Sequence, residues 1–325
     1  MSELHTFIFE GKPVRGMLVR LTDAWQTILQ RRALAGAYPA AVQELLGEMT
    51  AAATLMQANI KFNGALVMQI MGDGPLKLAV AEVRSDLSLR ATATVIGEVA
   101  DDARLSHMVN VNRLGRCAIT LDPQDRLPGQ QPYQGVVPLV GDHGENLERL
   151  SEVIEHYMLQ SEQLDTRLVL AANDQVAAGL LIQRLPMQGQ ANLGGGVQRG
   201  DEDHIGQSED YNRISILASS LKREELLTLD AETILRRLFW EEDVVRFDPL
   251  TGEEGPRFRC SCSRERVSAM LRSLGSDEVE SILAEQGQVD VTCEFCGQPH
   301  RFDPVDAAHI FLDVQRQMPG SDTAQ

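Results

Sequence analysis

Hydrophobic and polar residues alternate along much of the first 185 residues, and this period of two predicts β-strands. The predicted strands cover residues 4–9, 14–21, 66–70, 76–83, 91–95, 117–121, 134–140, 168–172 and 176–185. Between residues 66 and 71, apolar side chains occupy both alternating sets of positions, which predicts a strand buried on both faces. Turn residues at 63–64 and 72–75 flank this strand, so we expect a hairpin there.

Apolar residues spaced three or four apart predict the helices. Thr22 can cap a short helix, and Pro39 suits the first position of a longer one whose apolar stripe is typical of a core-facing helix. Further helices are predicted at residues 145–160, 210–222, 231–241, 263–274 and 277–287, and from residue 304 onward. Asp277 and Glu280 resemble a capping box at the start of one of them.

The helices predicted between residues 210 and 241 carry apolar faces and follow a glycine-rich stretch. The second of them presents Ile234, Leu235, Leu238, Phe239 and Trp240, and would end in three acids at 241–243 that oppose the helix dipole. Such helices gain stability by docking, so we expect them on the first domain and beside the cysteine-bearing module. The alternative is an ordinary rigid packing layer between domains.

Four of the five cysteines form two close pairs, one with a single residue between its cysteines and one with two. A close pair can bind a metal from one side, and two pairs can complete the tetrahedron of thiolates that zinc favours. We therefore predict one zinc ion per chain in the reduced protein, bound by Cys260, Cys262, Cys293 and Cys296.

The cysteine-bearing module spans about sixty residues with few large apolar side chains, so its own core is expected to be marginal. Four thiolates on zinc would stabilise it, by about 10–16 kcal/mol apparent in small zinc peptides. Oxidation would consume the thiolates and remove that support. The neighbouring Arg264 and Arg266 are candidates for favouring the thiolate form. The module is therefore predicted to act as a redox switch.

These patterns predict an α+β protein in several parts. Residues 1–188 are expected to form an α/β core domain with a mixed or largely antiparallel sheet, and residues 189–250 a linker and helical coupling region. Residues 251–315 are expected to form a small C-terminal zinc-binding redox-switch domain, and residues 316–325 a disordered tail.

The composition narrows the class of function. The 325 residues are 43% hydrophobic and carry a net charge of −17. This charge opposes binding to nucleic acid, which needs clustered Lys and Arg, and to anionic membrane surfaces. No apolar run is long enough to span a membrane, and the N-terminus lacks the pattern of a signal peptide. We therefore expect a cytoplasmic protein, where paired cysteines usually indicate metal or redox chemistry.

Several short segments indicate a protein family more specifically than the cysteine spacing does. They read FRCSCSRER at 258–266, CEFCG at 293–297, GDGP at 72–75, YQGVV at 133–137, SEQL at 161–164, EELLTL at 224–229, and DEV followed by SILAE within 277–285. In this order and across nearly the whole chain, they resemble the redox-regulated chaperone family called heat-shock protein 33.

The resemblance implies an ATP-independent holdase, not an enzyme, whose reduced, zinc-bound form is inactive. It implies that oxidation forms the disulfides Cys260–Cys262 and Cys293–Cys296, releases zinc and exposes a surface that binds unfolded proteins and prevents their aggregation. It further implies a role in oxidative stress and a homodimer in the oxidised state. For residues 190–250 we add the hypothesis that losing the zinc fold lets their helices open.

Two other functions remain as alternatives. A thiol–disulfide oxidoreductase would use Cys293 and Cys296, but that chemistry favours a pair at a helix start, and predicted strands flank this one. A zinc-stabilised nucleic-acid-binding module is opposed by the acidic composition. Neither a P-loop motif nor a G-x-S-x-G motif occurs in the sequence.

Two further candidate residues are expected to be inactive. Cys117 stands alone on a predicted strand, which is typical of a small buried apolar side chain. His300 follows Cys296 by four residues and could replace a ligand, but four cysteines already complete the tetrahedron.

Overall fold

The computed structural model describes residues 1–33, 36–126, 129–185 and 208–317. The chain divides into two compact units, Met1–Arg259 and Cys260–Gln325. The glycine-rich linker predicted between residues 189 and 207, and the part of the predicted tail beyond residue 317, lie outside the described residues. Among the described helices, none combines the length and the apolar character needed to cross a membrane.

The first unit contains two sheets. Its described strands are β1 (Glu3–Phe9), β2 (Val14–Leu21), β3 (Gly64–Met71), β4 (Leu76–Arg84), β5 (Ser88–Val95), β6 (Arg116–Pro123), β7 (Tyr133–Pro138), β8 (Thr166–Ala172), β9 (Ala177–Arg184), β10 (Val244–Arg246), β11 (Leu250–Thr251) and β12 (Arg257–Phe258). Sheet A has the order β10-β1-β2-β9-β8, with β11 also paired to β1. Sheet B has the order β12-β5-β4-β3-β6-β7, and β12 lies parallel to β5 while the other pairs are antiparallel.

The described helices of this unit are α1 (Asp23–Ala33), α2 (Ala40–Asn59), α3 (Leu105–Val109), α4 (Leu150–Glu162), α5 (Glu209–Ser219), α6 (Arg223–Thr228) and α7 (Ala231–Leu238). Helices and mixed or antiparallel sheets confirm the predicted α+β class. Helix α4 begins later than predicted because the Glu152 carboxylate accepts hydrogen bonds from the backbone N–H groups of Glu148 and Arg149, which fixes its start.

Helix α2 packs against strands of both sheets and forms the centre of the first apolar cluster. The predicted stripe, which includes Leu46 and Met49, faces the core as expected. Residues off the stripe, such as Ala52 and Leu55, are buried too, so the helix is enclosed on all sides and is not amphipathic. The prediction that β3 is buried on both faces is also wrong, since only the alternating set ending at Ile70 joins this cluster, and Met71 is exposed.

The other face of sheet A carries a second apolar cluster. Side chains of β1, β2, β8 and β9 pack here against α5, α6 and α7, and we call residues 208–243 the helical layer. The sheet contributes Phe7, Phe9, Val14, Leu18, Ala171, Ala178, Leu180 and Ile182. The described part of the predicted coupling region therefore forms a packed layer over an apolar sheet face, within the first unit.

The predicted conflict between α7 and its helix dipole is wrong. The helix ends at Leu238, with Arg236 and Arg237 in its last turn, where positive charge is favourable. The acids at 241–243 lie beyond it. Phe239 is buried in the second apolar cluster, whereas Trp240 is 74% exposed and does not belong to that apolar face.

The second unit is small. Its described elements are α8 (Arg264–Leu274), α9 (Ser276–Gln286), β13 (Val289–Thr292), β14 (Pro299–Phe302) and α10 (Pro304–Gln317). The two strands flank Cys293 and Cys296, as predicted, and they pair as an antiparallel hairpin. Gly275, not Asp277, precedes α9 as its N-cap, so the predicted capping box does not form. The buried core comprises Val267, Leu271, Val279, Val289, Phe302, Ala307 and Ile310.

Candidate metal centre

Two local structures present the four paired cysteines. Cys260 and Cys262 lie just before α8, whose N-cap Ser263 accepts a hydrogen bond from the Arg266 backbone N–H. Cys293 and Cys296 occupy the turn between β13 and β14. This turn is closed by the Gly297 N–H, which donates to the Cys293 carbonyl over 2.8 Å. A positive φ of 69° at Gly297 suits glycine and lets the chain return into β14.

The four sulfur atoms converge. All four lie within 4.8 Å of one another, and the described residues contain no other group of three or more potential metal ligands this close. The Sγ–Sγ distances are 3.7 Å for Cys260 and Cys293 and 3.3 Å for Cys262 and Cys296. A zinc–sulfur bond of about 2.3 Å would place the sulfurs of a tetrahedral site about 3.8 Å apart. The donor set and its spacing therefore fit a tetrahedral metal ion.

The thiols differ in their acidity. Burial acts to raise the pKa of Cys260, but hydrogen bonds from the Cys262 backbone and the neighbouring thiols outweigh it, so the pKa lies below its ordinary value. Burial raises the pKa of Cys262, and hydrogen bonds with the Cys296 and Cys260 thiols raise it further. Burial also raises the pKa of Cys296. A divalent cation can replace the protons held here, since thiolates are the metal-binding form.

The two arginines expected to favour thiolates are engaged elsewhere. Arg264 donates to the Arg301 carbonyl, pairs with Asp306 over 2.7 Å and lies 4.3 Å from the centre of the Phe302 ring. Arg266 donates to the Ser261 hydroxyl. These contacts hold the loop and α8 in place around the cysteines, and they do not direct either guanidinium to a sulfur.

Cys117 and His300 lie outside the group of four sulfurs. Cys117 is fully buried on β6, and burial raises its pKa to about 12, which agrees with the expectation of an inactive thiol. His300 pairs with Val291 in the hairpin, and its Nε2 is buried without a hydrogen-bond partner in the described part of the chain.

The position of the second cysteine pair bears on the oxidoreductase alternative. Cys293 and Cys296 lie in the turn of a β-hairpin. A reactive disulfide pair of the thioredoxin type would instead stand at a helix start, next to a βαβ unit. The geometry therefore favours metal binding over this alternative.

A set of contacts that the sequence did not predict holds the chain just before Cys260. Arg257 donates to the Asp86 carbonyl and carboxylate, and Arg259 lies 3.8 Å from the same carboxylate. Phe258 packs against the first apolar cluster, with the Arg31 guanidinium 5.4 Å from its ring centre. The local sequence indicates these contacts only weakly, through the two arginines that flank Phe258. Their partner could not be inferred, because Asp86 lies 171 residues from Arg257.

Comparisons with known proteins agree with this architecture. The family model described as Hsp33 protein matches residues 2–303. A 33 kDa chaperonin of Chromobacterium violaceum is 46% identical over 310 residues, covering 95% of this chain and 94% of the relative. A 33 kDa chaperonin of Methylobacillus flagellatus is 43% identical over 322 residues, covering 99% of this chain and 98% of the relative.

A solved structure shows the same fold. The crystal structure of the 33 kDa chaperonin of Thermotoga maritima aligns with a TM-score of 0.71 at 20% identity, covering 97% of this chain and 99% of that one. The family model and the curated relatives extend over nearly the whole sequence. The chain therefore belongs to the Hsp33 protein family.

Proposed function

We propose that this protein is an ATP-independent holdase chaperone, controlled by the redox state of Cys260, Cys262, Cys293 and Cys296. The observation that carries the proposal is the convergence of these four sulfurs in a unit with a core of only a few side chains. Membership of a family whose relatives are named 33 kDa chaperonin supports the chaperone role. In this proposal the reduced protein binds one zinc ion through the four thiolates and does not hold clients.

Oxidation of the four thiols is the proposed trigger. The disulfides Cys260–Cys262 and Cys293–Cys296 would form. Each thiolate pair would lose two electrons to an oxidant such as one molecule of hydrogen peroxide, which takes up two protons and leaves as two water molecules. Sulfurs joined in a disulfide no longer bind the metal. Because the second unit has a small apolar core, it is then expected to unfold.

The helical layer is the proposed source of the client-binding surface. It covers aromatic and aliphatic side chains of sheet A, including Phe7, Phe9 and Leu180. The chain runs from this layer through β10, β11 and β12 directly into Cys260. Loss of the second unit's fold would free the chain beyond Arg259, and the three short strands would then be the first elements of the first unit to fray. Opening of the layer would expose apolar surface, which a holdase needs to bind unfolded chains.

Two measurements on reduced and peroxide-treated protein test the proposal. Light scattering of a chemically unfolded client should show suppression of aggregation, without ATP, by the oxidised protein only. Zinc content and free-thiol count should fall together in the same sample. Equal suppression by the reduced, zinc-loaded protein would disprove the switch.

Hydrogen exchange tests the opening of the helical layer separately. In the active, oxidised protein, residues 208–243 should lose protection together with residues 260–310, while α2 stays protected. Unchanged protection of residues 208–243 in a fully active sample would show that the layer is a rigid packing element.

We further propose the partners, oligomeric state and cellular compartment of this protein. Clients are unfolded or aggregation-prone proteins, and the oxidised chain is proposed to form a homodimer in the cytoplasm. A net charge of −17 supports solubility while apolar surface is exposed, and it opposes nucleic acid as a partner. Sedimentation of reduced and oxidised protein tests the dimer.

A further inference from the structure

A buried carboxylate joins the helical layer to the β1–β2 hairpin. The Glu242 side chain is completely buried and forms ion pairs with Lys12 and Arg213. Lys12 lies in the turn between β1 and β2, Arg213 lies on α5, and Glu242 follows α7. We call these three residues the Glu242 cluster. It connects a sheet element to two parts of the layer that are far apart in sequence.

The cluster lies next to the aromatic side chains of the second apolar cluster. Phe239 lies three residues before Glu242. The centre of its ring is 5.0 Å from the ring centre of Phe9 and 6.1 Å from that of Phe7. The Glu10 backbone N–H donates to the Asp243 carbonyl over 2.8 Å. The segment after α7 is therefore fixed to the hairpin by a backbone hydrogen bond, ring contacts and a buried charge.

The two ion pairs stabilise the ionised form of the buried Glu242 carboxylate. Burial acts to raise the pKa of Glu242, but the hydrogen bonds and charges of Lys12 and Arg213 outweigh it and hold the pKa below its ordinary value. Without those cations, an ionised carboxylate in this position would be strongly unfavourable. Since Lys12 belongs to the sheet and Arg213 to the layer, both pairs exist together only while the layer is closed.

The position of Glu242 in the chain places it behind three short strands, as counted from Cys260. An opening that spreads backward from Cys260 meets β12, β11 and β10, which are two or three residues long, before it reaches Glu242. At helix α6 of the layer, Arg20 of β2 donates to the carbonyls of Leu226 and Leu227. Those contacts hold α6, whereas the Glu242 cluster acts together with the Glu10–Asp243 hydrogen bond and the Phe239 ring contacts on the segment after α7.

We propose that the Glu242 cluster is the contact that stops such an opening at the edge of the helical layer and thereby sets how readily the layer opens. The inference rests on the proposed function, since it concerns how that switch is restrained. Weakening the cluster is expected to open the layer even in the reduced, zinc-loaded protein.

Hydrogen exchange of the reduced protein tests this directly, with Glu242→Gln compared against Glu241→Gln. Glu241 is the neighbouring residue and is exposed, so Glu241→Gln removes the same negative charge without disturbing a buried ion pair. Glu242→Gln should speed exchange in α5 and α7 by roughly tenfold or more, because a buried ion pair is lost. Exchange in α2 and the zinc content should stay as in the unmodified protein.

Three results would overturn the proposal: equal exchange in the two variants, faster exchange spread evenly over α2 and sheet B, or loss of zinc. Lys12→Gln removes the same pair from the sheet side, and it provides the test if Glu242→Gln does not fold. Since exchange is measured without a client, it remains informative if oxidised, unmodified protein fails to suppress aggregation. That failure would contradict the proposed function alone.

Discussion

The two units differ in the size of their apolar cores among the described residues. The first unit encloses α2 between two sheets and adds a second apolar cluster beneath the helical layer. The described part of the second unit buries only a few apolar side chains around its hairpin and places four sulfurs within 4.8 Å of one another. A domain with little buried area needs another source of folding free energy, and metal binding can supply it. This contrast is what the proposed function requires, since one part of the chain would stay folded while the other depended on its metal.

Removal of a single sulfur should have the largest effect. We expect Cys296→Ser to abolish tight metal binding and unfold the second unit, since metal binding supplies about 10–16 kcal/mol apparent in comparable small sites. Zinc content and exchange of residues 260–317 measure this, with the first unit expected to stay protected. Retention of full zinc affinity would show that the ligand assignment is wrong.

The next prediction concerns the helical layer. Phe239→Ala should destabilise the layer by about 3–5 kcal/mol, because it removes a buried ring that packs on Phe7 and Phe9. Trp240→Ala is the matched control, since Trp240 is 74% exposed and should have little effect. Urea unfolding followed by exchange in α5–α7 compares them. Equal effects of the two substitutions would contradict the assigned packing.

Acid should weaken the layer through Glu242. Its pKa is held below the ordinary 4.5 by Lys12 and Arg213, while Asp210 lies 3.7 Å from Arg213 on the same helix. A depressed carboxyl pKa contributes stability that is present above the unfolded pKa and is lost as pH falls through the folded pKa. The protection of α5 and α7 in the unmodified protein should therefore fall towards that of Glu242→Gln below about pH 4.5. A constant difference between the two proteins down to pH 2 would contradict this.

The smallest effect is expected at Cys117. Because burial raises its pKa to about 12, this thiol should resist alkylation until the first unit unfolds, while the paired cysteines react once the metal is chelated. Cys117→Ala should cost about 1 kcal/mol and leave zinc content unchanged. Mass spectrometry after iodoacetamide treatment counts the modified thiols. Modification of Cys117 at the same rate as Cys293 would refute its inactivity.

The local patterns predicted most elements well. The strands around Leu18 and Leu168 lie close to where alternation placed them. The cysteine pairs were identified as candidate metal ligands because short spacings restrict geometry strongly, and the four sulfurs do converge. Periodicity and short spacing are properties of neighbouring residues, so they can be evaluated without the fold.

Features that depend on distant partners could not be predicted. Nothing local to α2 shows that Ala52 and Leu55, which lie off the predicted stripe, will be enclosed as well, because the second sheet that packs on the helix comes from other parts of the chain. The acid Glu242 was interpreted as an unfavourable helix end, yet it pairs with Lys12, 230 residues away. Exposure of Met71 likewise follows from which face of sheet B packs against α2, which alternation cannot specify.

The helical layer also has a consequence for synthesis on the ribosome. Strand β9 ends at Arg184, so the apolar face of sheet A is complete before the residues that cover it, Glu209 to Leu238, have been made. Domains tend to fold from the N-terminus as they emerge. Each nascent chain should therefore pass through an interval in which this face is bare, and it would then need protection of the kind that we propose the finished protein gives to others.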